Sequence, residues 1–188
     1  MVSLGMQPVL PCFAGRVPRA FVKRFPNASY HNLHCYANLD TTWSCEVMLN
    51  PWDPLFNQVA KLWMAAQAKA YGNVTHLYGC DMFNEMQPTT ADPKYLAQAS
   101  KAVSDGIRTY DDAGVWVMQG WLFTNTGFWN ASTVAAYLSG VGDDDILILD
   151  LVSEDQCFAA IYDNYFGKKW VWTIIHNSDG VRGVYGDM

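Results

Sequence analysis

"YGCDMFNEMQP", residues 78–88, reads as a strand that stops on an amide and a carboxylate side by side. Tyr78 to Phe83 form the strand, and Asn84 and Glu85 end it. Pro88 and two threonines then lead into a helical pattern. A solvated turn can end a strand this way. So can a strand that delivers a carboxyl group to an active site. The surrounding pattern decides between them.

Four further stretches read like this one: "QPVLPCF" (7–13), "VWVMQGW" (115–121), "ILILDLV" (146–152) and "WVWTIIH" (170–176). Each is nearly continuous in apolar residues, as parallel strands covered on both faces are. Helical patterns lie between them. Residues 92–110 open on Asp92-Pro93, a cap followed by proline at the first helical position, and carry Tyr95, Leu96, Ala99, Ala102, Val103, Gly106, Ile107 and Tyr110 on one stripe. Residues 53–71 repeat the device with Asp53-Pro54 and a stripe of Leu55, Val59, Leu62, Trp63, Ala66 and Ala70. Shorter helices are expected at 16–25, 131–140 and 155–166. Residues 26–52 read as a long loop, a length that usually marks function or insertion.

Alternating strands and helices imply α/β architecture with a parallel sheet. No glycine-rich phosphate loop follows a strand, which disfavours a nucleotide-binding fold. A (β/α)8 TIM barrel fits better, because polar residues gather where strands end: Asn84-Glu85, Gln119-Gly120-Trp121, Ser153-Glu154-Asp155 and His176-Asn177. In such barrels that face holds the active site. Only five of the eight βα units are legible, and a whole barrel typically needs about 250 residues. Residues 1–188 are therefore expected to be part of one barrel domain, truncated at both ends. The 188 residues alone are expected to fold poorly and to be inactive, since an unclosed barrel leaves strand edges open.

The net charge of −6 and the pI near 5.0 argue against nucleic acid or an anionic membrane as partner. No apolar run approaches the roughly 18 residues of a membrane span. The opening "MVSLGMQPVLPCF" lacks a charged leader, so Met1 need not be the native start. Sequons stand at Asn27, Asn73 and Asn130, where roughly one is expected by chance. That excess points to a secreted or lysosomal protein, and there a disulfide between Cys35 and Cys45, which share the long loop, is plausible.

A carboxyl group at the mouth of a barrel is partly desolvated. Its pKa rises, and it can hold a proton to give to a glycosidic oxygen. Glu85 has that position, and the Asn84 amide can hold a neighbouring substituent. Glycoside hydrolysis needs a second carboxylate, about 5–5.5 Å away for retention or about 6.5–9.5 Å for inversion. From pattern alone the partner is Glu154, with Asp150 and Asp155 nearby.

Several motifs together resemble the alpha-N-acetylglucosaminidases, glycoside hydrolase family 89. They are "YGCDMFNEMQP", "QGWLF", "LILDL" followed by "SE", "IIHN" followed by "GVYG", "GMQPVLPCFAGRVP" and "DPLF". The resemblance runs along all 188 residues and covers the middle of the family's catalytic barrel. It implies a retaining exo-enzyme that releases terminal alpha-linked N-acetylglucosamine from glycans such as heparan sulfate, needing no metal or organic cofactor. Glu85 then matches the general acid/base and Asn84 its neighbour. Trp121 matches an aromatic of the substrate pocket. His176 and Asn177 match another pocket-lining strand end, with Ser178 and Asp179 where the family carries an aromatic residue and a glycine. The implied nucleophile lies in a segment after Met188, which makes Glu154 a pocket-wall carboxylate. The loop holding Cys35 and Cys45 matches a disulfide-bearing loop.

Three other features have competing readings. His31-x-x-His34-Cys35 lacks a common zinc spacing. His76 with Cys80 reads as a buried, inert thiol rather than a nucleophilic pair. Trp129 fits packing or sugar contact equally. Two alternatives to the family's function stand beside it. One is an inactive fragment that keeps only sugar-binding surface. The other is a barrel glycosidase of different specificity that uses Glu85 and Glu154.

Overall fold

The computed structural model describes residues 2–33, 40, 45, 47–83, 86–151, 153 and 156–173. Five strands, β1 (Leu10–Pro11), β5 (Leu77–Gly79), β6 (Val115–Gln119), β7 (Ile146–Asp150) and β8 (Lys169–Trp172), form one sheet in the order β1-β5-β6-β7-β8. Every neighbouring pair is parallel. Consecutive units lie side by side, as successive units of a barrel do, and the sheet is open at β1 and β8. All five expected strands exist, but their paired cores are shorter. Pro8 and Pro11 cannot donate to a ladder, and a 3-10 turn, Gly120–Thr124, ends β6.

Side chains alternate across the sheet. Trp116, Met118, Ile146, Ile148 and Asp150 are buried beneath the helices. Leu147 and Leu149, on the opposite face, are only half-buried, and Gln119 is exposed. That inner face is the one a closed barrel covers.

Both long helices start where their caps place them. Asp53 accepts from Leu55 N before helix Pro54–Tyr71, and Asp92 accepts from Lys94 N before helix Pro93–Arg108. The second buries the expected stripe, except that Tyr110 lies past its end and is exposed. In the first the expected stripe is only partly right: Leu55 and Val59 pack against the core, but Phe56, Ala60 and Met64 are the buried residues and Leu62 and Trp63 are exposed. Contact between the helices selects that face. Gly106 lets the second helix approach so closely that a Cβ there would lie 2.9 Å from Ala60 Cβ.

The stretch read as a loop at 26–52 carries structure. β3 (Tyr30–Asn32) and β4 (Val47–Leu49) pair antiparallel with each other, and β4 with β2 (Arg16–Val17). Short helix Arg19–Arg24 separates β2 from β3. This small sheet is inserted between the end of β1 and its helix, and so sits at the C-terminal face of the large sheet. It is fastened to helix Pro93–Arg108 by His31, whose ring nitrogens pair with Asn50 Oδ1 and Tyr95 OH.

The expected helix over 155–166 breaks in two. Phe158–Ile161 is right-handed, whereas Asp163, Asn164, Tyr165 and Phe166 all have φ between 47° and 54°. Left-handed backbone is costly for Tyr and Phe. Tyr165 is held there by complete burial and by its hydroxyl, which donates to Asp150 Oδ1 at 2.7 Å.

Candidate active site

β5 leaves the sheet after Gly79, and the chain from Cys80 to Phe83 carries it toward Asn84 and Glu85. The partners of this segment are the site's scaffold. β1 and β5 pair Leu10 with Tyr78 and Pro11 with Gly79. The next rung therefore sets Cys12 opposite Cys80, with Cα atoms 5.2 Å apart, and the two form a disulfide. This corrects the expectation of a buried thiol at Cys80. A nucleophilic Cys80–His76 pair is excluded as well. His76 precedes β5 at its other end, where its Nδ1 pairs with Asp111 Oδ2 at 2.8 Å. Burial raises the Asp111 pKa, but hydrogen bonds from His76 and Tyr78 outweigh it and hold the carboxyl below the ordinary range.

On the β6 side two side chains take over from the ladder. Trp116 Nε1 donates to Cys80 O at 2.8 Å, and Gln119 N donates to Asp81 Oδ1 at 3.2 Å. Arg16 Nη2, from the small sheet, donates to Met82 O at 3.3 Å. Burial pushes the Asp81 pKa up to about 6; the Gln119 N–H and the Arg16 charge pull it partly back.

Phe83 and Met86, on either side of Asn84-Glu85 in sequence, are buried, and Met86 N donates to Phe83 O at 3.1 Å. Phe83 packs on Tyr137 and Trp129, and Trp129 on Phe123, with centroids 5.8, 6.4 and 5.5 Å apart. Trp129 is therefore a core residue, 1% exposed. One aromatic cluster thus anchors both strand-end segments, 80–83 and 120–124. Between them a cleft of about 80 Å³ is lined by Phe83, Met86, Trp121, Leu122, Thr124 and Asn125. Trp121 reaches this cleft because Gly120 lets the chain turn tightly over β7: a Cβ at Gly120 would lie 2.8 Å from Leu149 O.

The structure brings Trp121 to the edge of the segment that carries the proposed acid. Asn84, Glu85, Glu154, His176, Asn177 and Cys35 lie outside the described residues, as does His34 of the weighed metal motif. Asp150, weighed with Glu154, is fully buried on the helix side, where it accepts from Tyr165 OH, Ala159 N and Cys157 Sγ. Asn27, Asn73 and Asn130 are exposed; Asn130 Oδ1 also caps helix Ala131–Leu138. Sequence reading missed Asp81 and the Cys12–Cys80 bridge. Both follow from pairing β1 with β5 and β5 with β6, after which the positions just past each strand fall opposite one another.

The alpha-N-acetylglucosaminidase (NAGLU) tim-barrel domain family matches residues 1–188. Alpha-N-acetylglucosaminidase of Homo sapiens is 37% identical over 187 residues, which are 99% of this chain and 25% of that protein. The chain thus spans about a quarter of the length of the curated relative it matches. Among solved structures, a family 89 glycoside hydrolase from Clostridium perfringens bound to 2-acetamido-1,2-dideoxynojirmycin matches with a TM-score of 0.77. That match has 24% identity and covers 93% of this chain and 19% of the other. The enzyme from the same organism in complex with its substrate GlcNAc-alpha-1,4-galactose matches with a TM-score of 0.75 and 23% identity, over 92% of this chain and 18% of the other. At these identities the structural likeness speaks for the fold: five parallel strands and the helices between them superimpose on part of a barrel. Among the described residues, no helix is long and apolar enough to cross a membrane.

Proposed function

The chain belongs to the alpha-N-acetylglucosaminidase tim-barrel family, and from that premise we propose that it forms the acid/base half of a retaining exo-alpha-N-acetylglucosaminidase site within a longer protein. The family match over residues 1–188 carries this reading. The geometry supports it: the segments leading to Glu85 and Trp121 are held side by side at the C-terminal ends of β5 and β6, the catalytic face of a barrel.

In this reading a terminal alpha-linked N-acetylglucosamine enters between the two segments. Glu85 gives its proton to the glycosidic oxygen as the bond to the anomeric carbon breaks. A carboxylate from a segment after Met188 attacks that carbon and forms a glycosyl ester. Glu85, now ionised, takes a proton from water, whose oxygen displaces the ester. Two inversions restore the alpha configuration. Asn84 holds a substituent beside the broken bond. Trp121, with His176 and Asn177, lines the pocket, and Glu154 belongs to its wall. No metal enters the scheme.

Heparan sulfate is the glycan class proposed as substrate, and the lysosome or the extracellular space as location. The Cys12–Cys80 disulfide and three exposed sequons support passage through an oxidising compartment. In the same compartment the Cys35–Cys45 pair is proposed to close its loop.

The test is hydrolysis of a nitrophenyl alpha-N-acetylglucosaminide by the full-length protein, with the first-formed anomer read by NMR. Release of the alpha anomer is expected. The beta anomer, or no release, contradicts the reading.

A further inference from the structure

The ladder between β5 and β6 fails at a particular rung. Val115 N donates to His76 O at 2.8 Å, and residues pair as far as Gly79 with Val117. In a parallel ladder the donors advance by two residues, so Gln119 N should fall on Cys80 O. It does not. Trp116 Nε1 occupies Cys80 O, and Gln119 N turns to Asp81 Oδ1. A side-chain carboxylate has taken the place of a backbone acceptor. β5 therefore peels away from β6 at the mouth, at the residues that lead into Asn84-Glu85 on one strand and Trp121 on the other.

We propose that Asp81 is a positioning residue of the site: by accepting from Gln119 N it sets the angle between the segment carrying the proposed proton donor and the segment carrying Trp121. Three observations support this. Asp81 is half-buried in a sheet that is still open. Its carboxylate makes the outermost bond between the diverging ends among the described residues, one residue beyond Trp116 Nε1 to Cys80 O. The segment's remaining fastenings, the Cys12–Cys80 bridge, Trp116 Nε1 to Cys80 O and Arg16 Nη2 to Met82 O, still hold it, so loss of the Asp81 bond loosens its β6 side without releasing it. The segment can then swing without unfolding. Among the described residues, Arg16 and Tyr137 are the charged or titratable groups close enough to Asp81 to interact with it.

The inference rests on the proposed glycosidase reading, so Glu85→Gln is assayed in parallel. Full-length Asp81→Ala and Asp81→Asn are compared with the parent for kcat, KM and thermal melting. A small displacement of a catalytic group can cost about 100-fold. Asp81→Ala should lower kcat about 10- to 100-fold while KM stays within about threefold. Asn keeps an oxygen for Gln119 N–H, so Asp81→Asn should restore kcat to within about fivefold of the parent. Trp116→Phe frees Cys80 O and should repeat the alanine signature at a smaller size. Should the alanine variant fail to fold, the isosteric asparagine variant still decides: a folded Asp81→Asn with kcat down by more than about tenfold overturns the inference, as does an Asp81→Ala enzyme of parental kcat. In both cases an inactive Glu85→Gln enzyme leaves the glycosidase reading standing, whereas an active one removes it.

Discussion

Cys12 and Cys80 stand at facing positions just past the paired residues of β1 and β5, and a disulfide joins them. It locks the sheet's first strand to the strand that leads to the proposed proton donor. The bridge closes a separation of 68 residues, which in the chain-entropy account corresponds to about 4 kcal/mol. The Cys12→Ala/Cys80→Ala double variant should therefore melt several degrees below the parent. Reductant should lower the parent's melting temperature by more than it lowers the variant's. Equal melting of parent and variant under oxidising conditions would contradict this.

Asp81 binds its proton more tightly in the folded protein, where its pKa is about 6, than in the unfolded chain, whose reference value is 3.8. Its carboxyl therefore favours the folded state least when ionised. Stability from this group falls as pH rises between those two values and is level above the higher one. Asp81→Asn cannot titrate. Relative to the parent, the variant should gain stability between about pH 4 and pH 7, by up to about 3 kcal/mol. Thermal melts of both proteins across that range measure it, and parallel curves would show that burial does not raise this pKa.

Gly140 has no room for a side chain. A Cβ there would lie 2.0 Å from Ala97 O and 2.4 Å from Ser100 Oγ, where helix Pro93–Arg108 meets the end of helix Ala131–Leu138. Gly140→Ala should destabilise by about 1–3 kcal/mol. Gly127→Ala is the control, because its Cβ would meet only Asn125 Oδ1 at 3.5 Å. Denaturant melts should separate the two substitutions clearly.

The frame of this fold was legible because its signals are local. Asp53-Pro54 and Asp92-Pro93 mark two helix starts through cap chemistry that tertiary packing does not override. Apolar runs mark the five strands. The buried face of helix Pro54–Tyr71 was not legible, since apolar residues surround much of it and the close approach at Gly106 chooses Phe56, Ala60 and Met64. β3 and β4 were hidden because three-residue strands carry too little alternation to read. The disulfide and the Asp81 bond depend on register between strands 68 and 38 residues apart, which spacing along the chain cannot supply. Of the candidate site, Trp121 is seen beside the segment that leads to Asn84-Glu85, while that pair itself rests on its motif and its family.

The central claim is that Glu85 is the proton donor, and kinetics of full-length Glu85→Gln on two substrates test it most directly. A natural glycan leaves as an alcohol and needs the proton; a nitrophenyl glycoside leaves as a stable phenolate and needs little help. The variant should lose about 10²–10⁴ in kcat on the glycan and keep much more of its glycosylation rate on the nitrophenyl substrate, with unchanged melting. Near-parental turnover of the glycan, or equal losses on both substrates, would contradict it.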